Sequence, residues 1–240
     1  MSRHAGPIVK ALRDGVLVIV SILVAIALEG WWADRGLWQD LAADLAAVRE
    51  QLLSVRETVE DQAFRSQRIM DVGYGLLERM NSEREADFVT VPDTVAFWAV
   101  GATPTLNVSV GAIDALIASG RFGAIQSGDL RTALANIDAD ISSVTENQII
   151  AREYTLSALN PRLDDVLDRQ VLTRLRFLPT FPFIRRPAES LADVRLPNNQ
   201  GVRNAIEVRV GYFNRSVGAM SFLTEDINQI LALLDQELSG

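Results

Sequence analysis

Asp164 and Asp168 stand four residues apart with Arg169 beside them, a spacing that puts both carboxylates on one face of a helix. Carboxylates placed so can hold a hard cation or share acid and base roles. Near the start of a helix they equally complement the macrodipole, and that is the role expected of them. Asp138, Asp140 and Glu146 form a second acidic group. Residues two apart do not share a helix face, so a solvated surface is the expectation there. Neither group has a nitrogen or sulfur partner in sequence. The chain contains no Cys, its only His is His4, and its only Lys is Lys10. Serine triads, cysteine nucleophiles, Schiff-base lysines and zinc sites built on His or Cys are therefore excluded beyond the first residues. The carboxylate di-metal pattern of helical bundles is excluded with them, because it also takes His. No catalytic residue, cofactor or metal ligand is assigned, and no catalysis is expected. The alternative from another class is a membrane-tethered hydrolase working with carboxylates and hydroxyls.

Two stretches are better suited to binding than to reaction. Between Leu106 and Ile125 the polar residues Asn107, Asp114, Ser119 and Arg121 are set among Gly111, Gly120 and Gly123. They form a candidate partner or ligand surface, against the alternative that small residues there let long helices cross closely. Arg185 and Arg186 lie in a stretch rich in Phe and Pro and could meet anions or lipid headgroups; an exposed loop is the other reading.

The location of these groups is set by the N-terminus. Gly15 to Leu28 is an unbroken apolar run, followed by Glu29, Gly30, Trp31 and Trp32. Counted to Ala33 it amounts to roughly 19 residues, or about 28 Å of helix, enough to span a hydrocarbon core. Trp31 and Trp32 suit an interfacial aromatic belt, with Glu29 close enough to reach headgroup depth. Ala25 and Ala27 supply the small-residue spacing of a signal-peptide cleavage site, but no polar stretch separates them from the apolar run, so an uncleaved anchor is expected. Arg3, Lys10 and Arg13 precede the run and Asp34, Asp40 and Asp44 follow it, which places the N-terminus in the cytoplasm. The expected organisation is a cytoplasmic tail (1–14), a transmembrane signal-anchor (15–33) and an extracytoplasmic helical domain (34–240), periplasmic or extracellular, on a cell inner membrane. Ser21, Ala25 and Glu29 recur every four residues and offer a small, polar face for helix association, and so for a homo-oligomer. The net charge of −8 argues against nucleic acid as a partner.

Beyond the anchor, Leu41, Leu45, Val48, Leu52, Val55 and Val59 follow a heptad pattern. Extrapolated backward, the register meets Trp31, Ala27, Val24 and Val20, so one helix is expected to run from the anchor into the body. Gln62 and Ser66 break the seam, which resumes through Ile69, Val72, Leu76, Leu77 and Met80. A bend or fray is expected at Gly73 and Gly75. Residues 81–91 read as a connection, with Asp87 to Val91 the best of a poor set of strand signals. Pro92 opens a short helix to Val100. A further helix runs from about Ser109 to Ser119, with Gly120 as its left-handed end. Ser127 caps a long helix carrying Leu130, Leu134, Ile137, Ile141 and Val144. Residues 178–197, with four prolines, are the least helical part. A last seam runs Val202, Ile206, Val210, Phe213, Val217, Met220, Ile227, Leu231, Leu234 and Leu238. The fold class expected is all-α: an N-terminal transmembrane helix continuing into a bundle of about three long helices, with short helices at one end.

Two motifs, Ala27-Leu28 with Trp31, Trp32, Asp34 and Arg35, and Leu116-Ile117 with Ser119, Gly120, Phe122 and Ile125, accompany the C-terminal heptads. With that layout the chain resembles a group of bacterial single-pass membrane proteins to which no activity is assigned. The resemblance implies an anchored helical body and carries over no functional residues. The function expected from the whole is protein interaction or ligand sensing outside the cytoplasm, alone or as a subunit of a larger membrane complex.

Overall fold

A computed structural model describes residues 5–163 and 193–239, with side chains from residue 17 onward apart from 18, 33 and 34. The heptads between Leu41 and Val59 lie on α1 (Ala5–Ser82), one continuous helix that also carries the apolar run. Every seam residue from Leu41 to Val59 is buried, as the spacing requires. The helix runs on without fraying through Gly73 and Gly75. Gly73 instead marks a close crossing, where a Cβ would lie 2.5 Å from Val210 Cγ2.

A two-stranded antiparallel ribbon follows, β1 (Phe88–Pro92) pairing with β2 (Asp193–Pro197) so that Phe88 faces Pro197 and Val91 faces Val194. This corrects the all-α expectation and the reading of 81–91 as a mere connection. Each strand has five residues and buries only Val89, Val91 and Leu196, too short an alternation to stand out in sequence. Pro92 precedes α2 (Asp93–Ala96), which runs into a π-helical turn, Phe97–Gly101. After an extended stretch comes α3 (Gly111–Ala118). Gly120, at φ +76°, closes it in the left-handed conformation expected there. A 3-10 turn at Arg121–Ala124 leads to α4 (Gly128–Tyr154), whose cap is Ser127, its Oγ accepting from Leu130 N at 3.1 Å. A second π turn (Thr155–Leu159) and a 3-10 turn (Asn160–Arg162) complete that arm. The last helix, α5 (Gln200–Ser239), is capped by Asn199 Oδ1, which accepts from Val202 N at 2.9 Å.

The three long helices pack together with α5 at the centre. Arg49 donates to Asp235 (2.8 Å) and Arg56 to Asn228 (2.9 Å), which sets α1 antiparallel to α5. The carboxylate of Glu237 accepts from the backbone N–H groups of Gln126 and Ser127, and Gln148 reaches Met220, so α4 is also antiparallel to α5. Residues 102–125 cover the remaining side. Gln51 Oε1 accepts from Ala112 N (2.8 Å) and Gln148 Oε1 from Leu106 N, while Leu106, Ile113, Leu116 and Ile125 are buried. The short helices thus lie along both halves of the bundle instead of at one end. They are too short to pack alone and go where the long helices leave an apolar groove.

Two apolar clusters result. One joins Leu41–Val59, Leu130–Val144 and Met220–Leu234, and the other joins Ile69–Met80, the ribbon and Val202–Phe213. Fully burying each such side chain is worth about 1.5–3 kcal/mol. Val217 is only half-buried and Leu238 is exposed, so the last seam stops one turn short of its expected end. Among the described residues no helix is long and apolar enough to cross a membrane. The apolar side chains described, Leu17 and those from Ile19 to Trp32, fall short of the ~20 residues a span takes.

Candidate functional site

From Leu17 to Trp38 the described side chains of α1 have no partner helix. Leu17, Ile19, Val20, Ile22, Leu23, Val24, Ile26 and Leu28 are all exposed, on every side of the helix. Ser21 and Glu29 are exposed with them, as is Ala25. Ser21 already spends its hydroxyl proton on Leu17 O at 2.8 Å, leaving an acceptor and not a free donor on the association face. Trp31 and Trp32 meet edge to face, 5.7 Å between centroids, and Arg35 stands 5.5 Å over the Trp31 ring. The aromatic pair and its cation therefore lie between the apolar run and Leu41, the first buried residue among the described side chains.

The four polar residues singled out between Leu106 and Ile125 are not brought together. Arg121 is bound to α1, its Nη2 2.7 Å and Nε 2.8 Å from Asp44 Oδ2, so it holds the 3-10 turn against the bundle. Ser119 is used locally, donating to Leu116 O (2.8 Å) and accepting from Arg121 N (3.2 Å). Asp114 is exposed on α3. Asn107 alone lines a depression, a groove of about 350 Å³ shared with Asp138, Ser142, Thr145 and Glu146 of α4. Two of the acidic residues expected on a solvated surface thus face a residue from the candidate stretch, because the extended chain at 106–108 runs alongside α4. Asp164, Asp168, Arg185 and Arg186 lie outside the described residues.

A larger groove, about 490 Å³, lies between α4 and α5 and is lined by Asn136, Asp140, Asp226 and Gln229 with Ala133, Ala139 and Ile230. Desolvation and, next, the charge of Asp226 push the Asp140 carboxyl above its ordinary value of 3.8. A raised value means that the fold favours the protonated form. The cost is complete above the folded value, shrinks as pH falls through it, and is gone below the unfolded value. Asp140→Asn should therefore raise Tm at pH 7 and leave it unchanged near pH 3, as thermal unfolding at the two pH values would reveal. An equal gain at both would remove the electrostatic account.

The largest fully buried polar side chain escaped sequence reading. Arg209 is wholly buried. Its Nε donates to Thr155 Oγ1 (3.1 Å), its Nη1 to Trp98 O (3.2 Å) and Ala99 O (2.7 Å), and its Nη2 to Ala102 O. The guanidinium also stands 4.8 Å over the Phe213 ring. One side chain therefore joins the two π turns, its planar fork meeting carbonyls at the first and the Thr155 hydroxyl at the start of the second. Burial pushes the group down to about 9, so it stays protonated at neutral pH. Its position between Val208 and Val210 gave no signal beyond a polar residue on a helix. Each of its contacts is saturated by protein, which makes it an internal fastening and not a place for a ligand.

Among the described residues no group of three or more acidic or imidazole side chains could hold a metal ion. Comparison with protein-family models, curated proteins and solved structures gave no match.

Proposed function

We propose that the chain is a single-pass membrane protein, N-terminus in the cytoplasm, whose helical body outside the cytoplasm works by binding a partner. The observation that carries the proposal is the exposure of apolar side chains on all sides of α1 between Leu17 and Leu28. A helix that buries a stripe against its own domain is apolar on one side only; one that is apolar all round belongs in a core or in lipid. With Gly15, Val16, Val18 and Ala33 counted in, the run reaches the length of a span. Trp31, Trp32 and Arg35 supply amphipathic groups at its outer end, and Glu29 lies within reach of the same layer. The basic residues before the run support the stated orientation. Binding is preferred over catalysis because residues 34–240 lack imidazole, thiol and amine, while both grooves present carboxylates and amides, and the one beside Asn107 hydroxyls as well. The partner this surface favours is polar or basic.

Two measurements test the two halves of the proposal. The full chain should stay with membranes through alkaline carbonate extraction, and protease added from outside should digest the body while sparing an N-terminal tag. Release into the supernatant sinks the anchor. Purification in mild detergent should then bring down a stoichiometric protein partner that is lost when Asp138 and Glu146 are both changed to Ala. A lone monomer, or a partner indifferent to that change, sinks the assigned surface.

A further inference from the structure

The two apolar clusters are separated by a layer of polar side chains, contributed by all three long helices. On α1 the seam changes character at Gln62 and Ser66 and recovers at Ile69. The pairing of Arg56 with Asn228 and the meeting of Gly73 with Val210 put Ser66 level with the residues beside Ser216 of α5. Gln148 of α4 joins the same level through its 3.6 Å contact with Met220 Sδ. Ser66, Gln148 and Ser216 are buried, Ser66 and Ser216 completely. Gln148 is satisfied, since its Oε1 accepts from Leu106 N. Three atoms of the layer are not: Gln62 Oε1, Ser66 Oγ and Ser216 Oγ are buried and find no hydrogen-bond partner among the described residues.

We propose that this waist is a conformational joint, the level at which α1 and α5 part at the lowest free energy. The closed bundle carries the desolvation of three unsatisfied oxygens there, and parting admits water that satisfies them. Above and below, parting would expose the apolar clusters and gain nothing for a polar atom. The residues that fasten each half lie away from the waist. Arg49–Asp235 and Arg121–Asp44 hold one half, and Arg209 with its carbonyls holds the other. Each half is therefore tied within itself, and the waist is the flexible line between two stiffer bodies. The inference rests on packing alone and stands apart from the membrane reading.

The test is amide hydrogen exchange on the full chain in detergent, comparing residues 62–68 and 213–219 with 45–55 and 223–231. Waist amides should exchange at least tenfold faster than both flanking sets. Ser66→Ala combined with Ser216→Ala removes two of the unsatisfied oxygens at almost no change in volume, and should slow waist exchange about tenfold while leaving the flanks unchanged. The contrary result is specific. If each hydroxyl donates to the carbonyl four residues earlier, as Thr155 does to Ala151 and Thr224 to Met220, the double variant will leave exchange unchanged or speed it. That outcome, or waist amides no faster than the flanks, overturns the joint.

Discussion

Arg209→Ala should lower the stability of the body by about 4 kcal/mol or more, most of the total for a domain at the low end of the usual range of about 5–15 kcal/mol. Two losses add. The carbonyls of Ala99 and Ala102 lose their donor while staying buried, at about 1–3 kcal/mol each. Truncating one of the largest fully buried side chains also leaves a cavity, which costs about 2–5 kcal/mol for side chains of this size class. Release of a desolvated charge offsets part of this but not the sum, because the same charge strengthens the bonds that are lost. Arg209→Met separates the two terms: it refills most of the volume and leaves the carbonyls unpaired, so it should recover roughly half the loss. Arg209→Lys should recover less than its charge suggests, since one ammonium cannot address Thr155, Trp98 and Ala102 together. Chemical denaturation of the four proteins ranks them. A Met variant as stable as the wild type would show that the hydrogen bonds contribute nothing net.

Gly73→Ala and Gly75→Ala should move stability in opposite directions although the residues are two apart on one helix. In an open helix interior Ala is favoured over Gly by about 0.5–1 kcal/mol. At Gly75 nothing lies within 4 Å of a built Cβ, so the full gain is expected. At Gly73 the Cβ would meet Val210 Cγ2 at 2.5 Å, and a β-branched side chain has no free rotamer to withdraw into. Overpacking of this kind costs about 1–3 kcal/mol, which outweighs the helical gain. The decisive comparison is the double variant Gly73→Ala with Val210→Ala. It should be more stable than the sum of the singles by about 1 kcal/mol or more, the coupling a direct contact produces. Additive effects would place the crossing elsewhere.

These two sites show where sequence reading of this chain stops. Gly73 reads as a weakness in a helix, and the weakness is real in isolation; the packing against Val210 is what makes it the residue that lets α1 and α5 approach. Arg209 reads as a polar residue between two valines, because the atoms it binds are 54 to 111 residues away in sequence. By contrast Leu41 to Val59, Leu130 to Val144 and Met220 to Leu234 were legible from spacing alone. So were the cap at Ser127 and the left-handed Gly120, since caps and helix ends depend on residues within a turn of one another. The interruption at Gln62 and Ser66 was visible too, but its meaning was not: only with Ser216 brought to the same level does a break in one seam become a layer.

The candidate binding residues divide in the same way. Arg121 and Ser119 were singled out for their chemistry and turn out to be occupied, one by Asp44 and one by its own backbone. Asn107 keeps its place beside a groove, but Asp138 and Glu146 complete it from a helix thirty or more residues on. Asp140 was read as part of a solvated acidic surface, but nothing in the sequence set Asp226 across from it on α5.

By itself the sequence determined the local and the periodic: three long seams, the cap at Ser127, the mostly helical class, the shortage of catalytic side chains and the apolar run at Gly15 to Leu28. Tertiary structure alone decided which polar residues are buried, which glycine is a contact, how β1 finds β2, and that Arg209 joins the two π turns. The physical reason is range. Helix period, capping and side-chain inventory are properties of neighbouring residues, whereas desolvation, close approach and hydrogen bonding across the bundle exist only once distant segments share a volume. The same division applies to the run at the N-terminus: its composition makes it apolar, and its exposure on every side of α1 is what asks for a partner that the folded body does not supply.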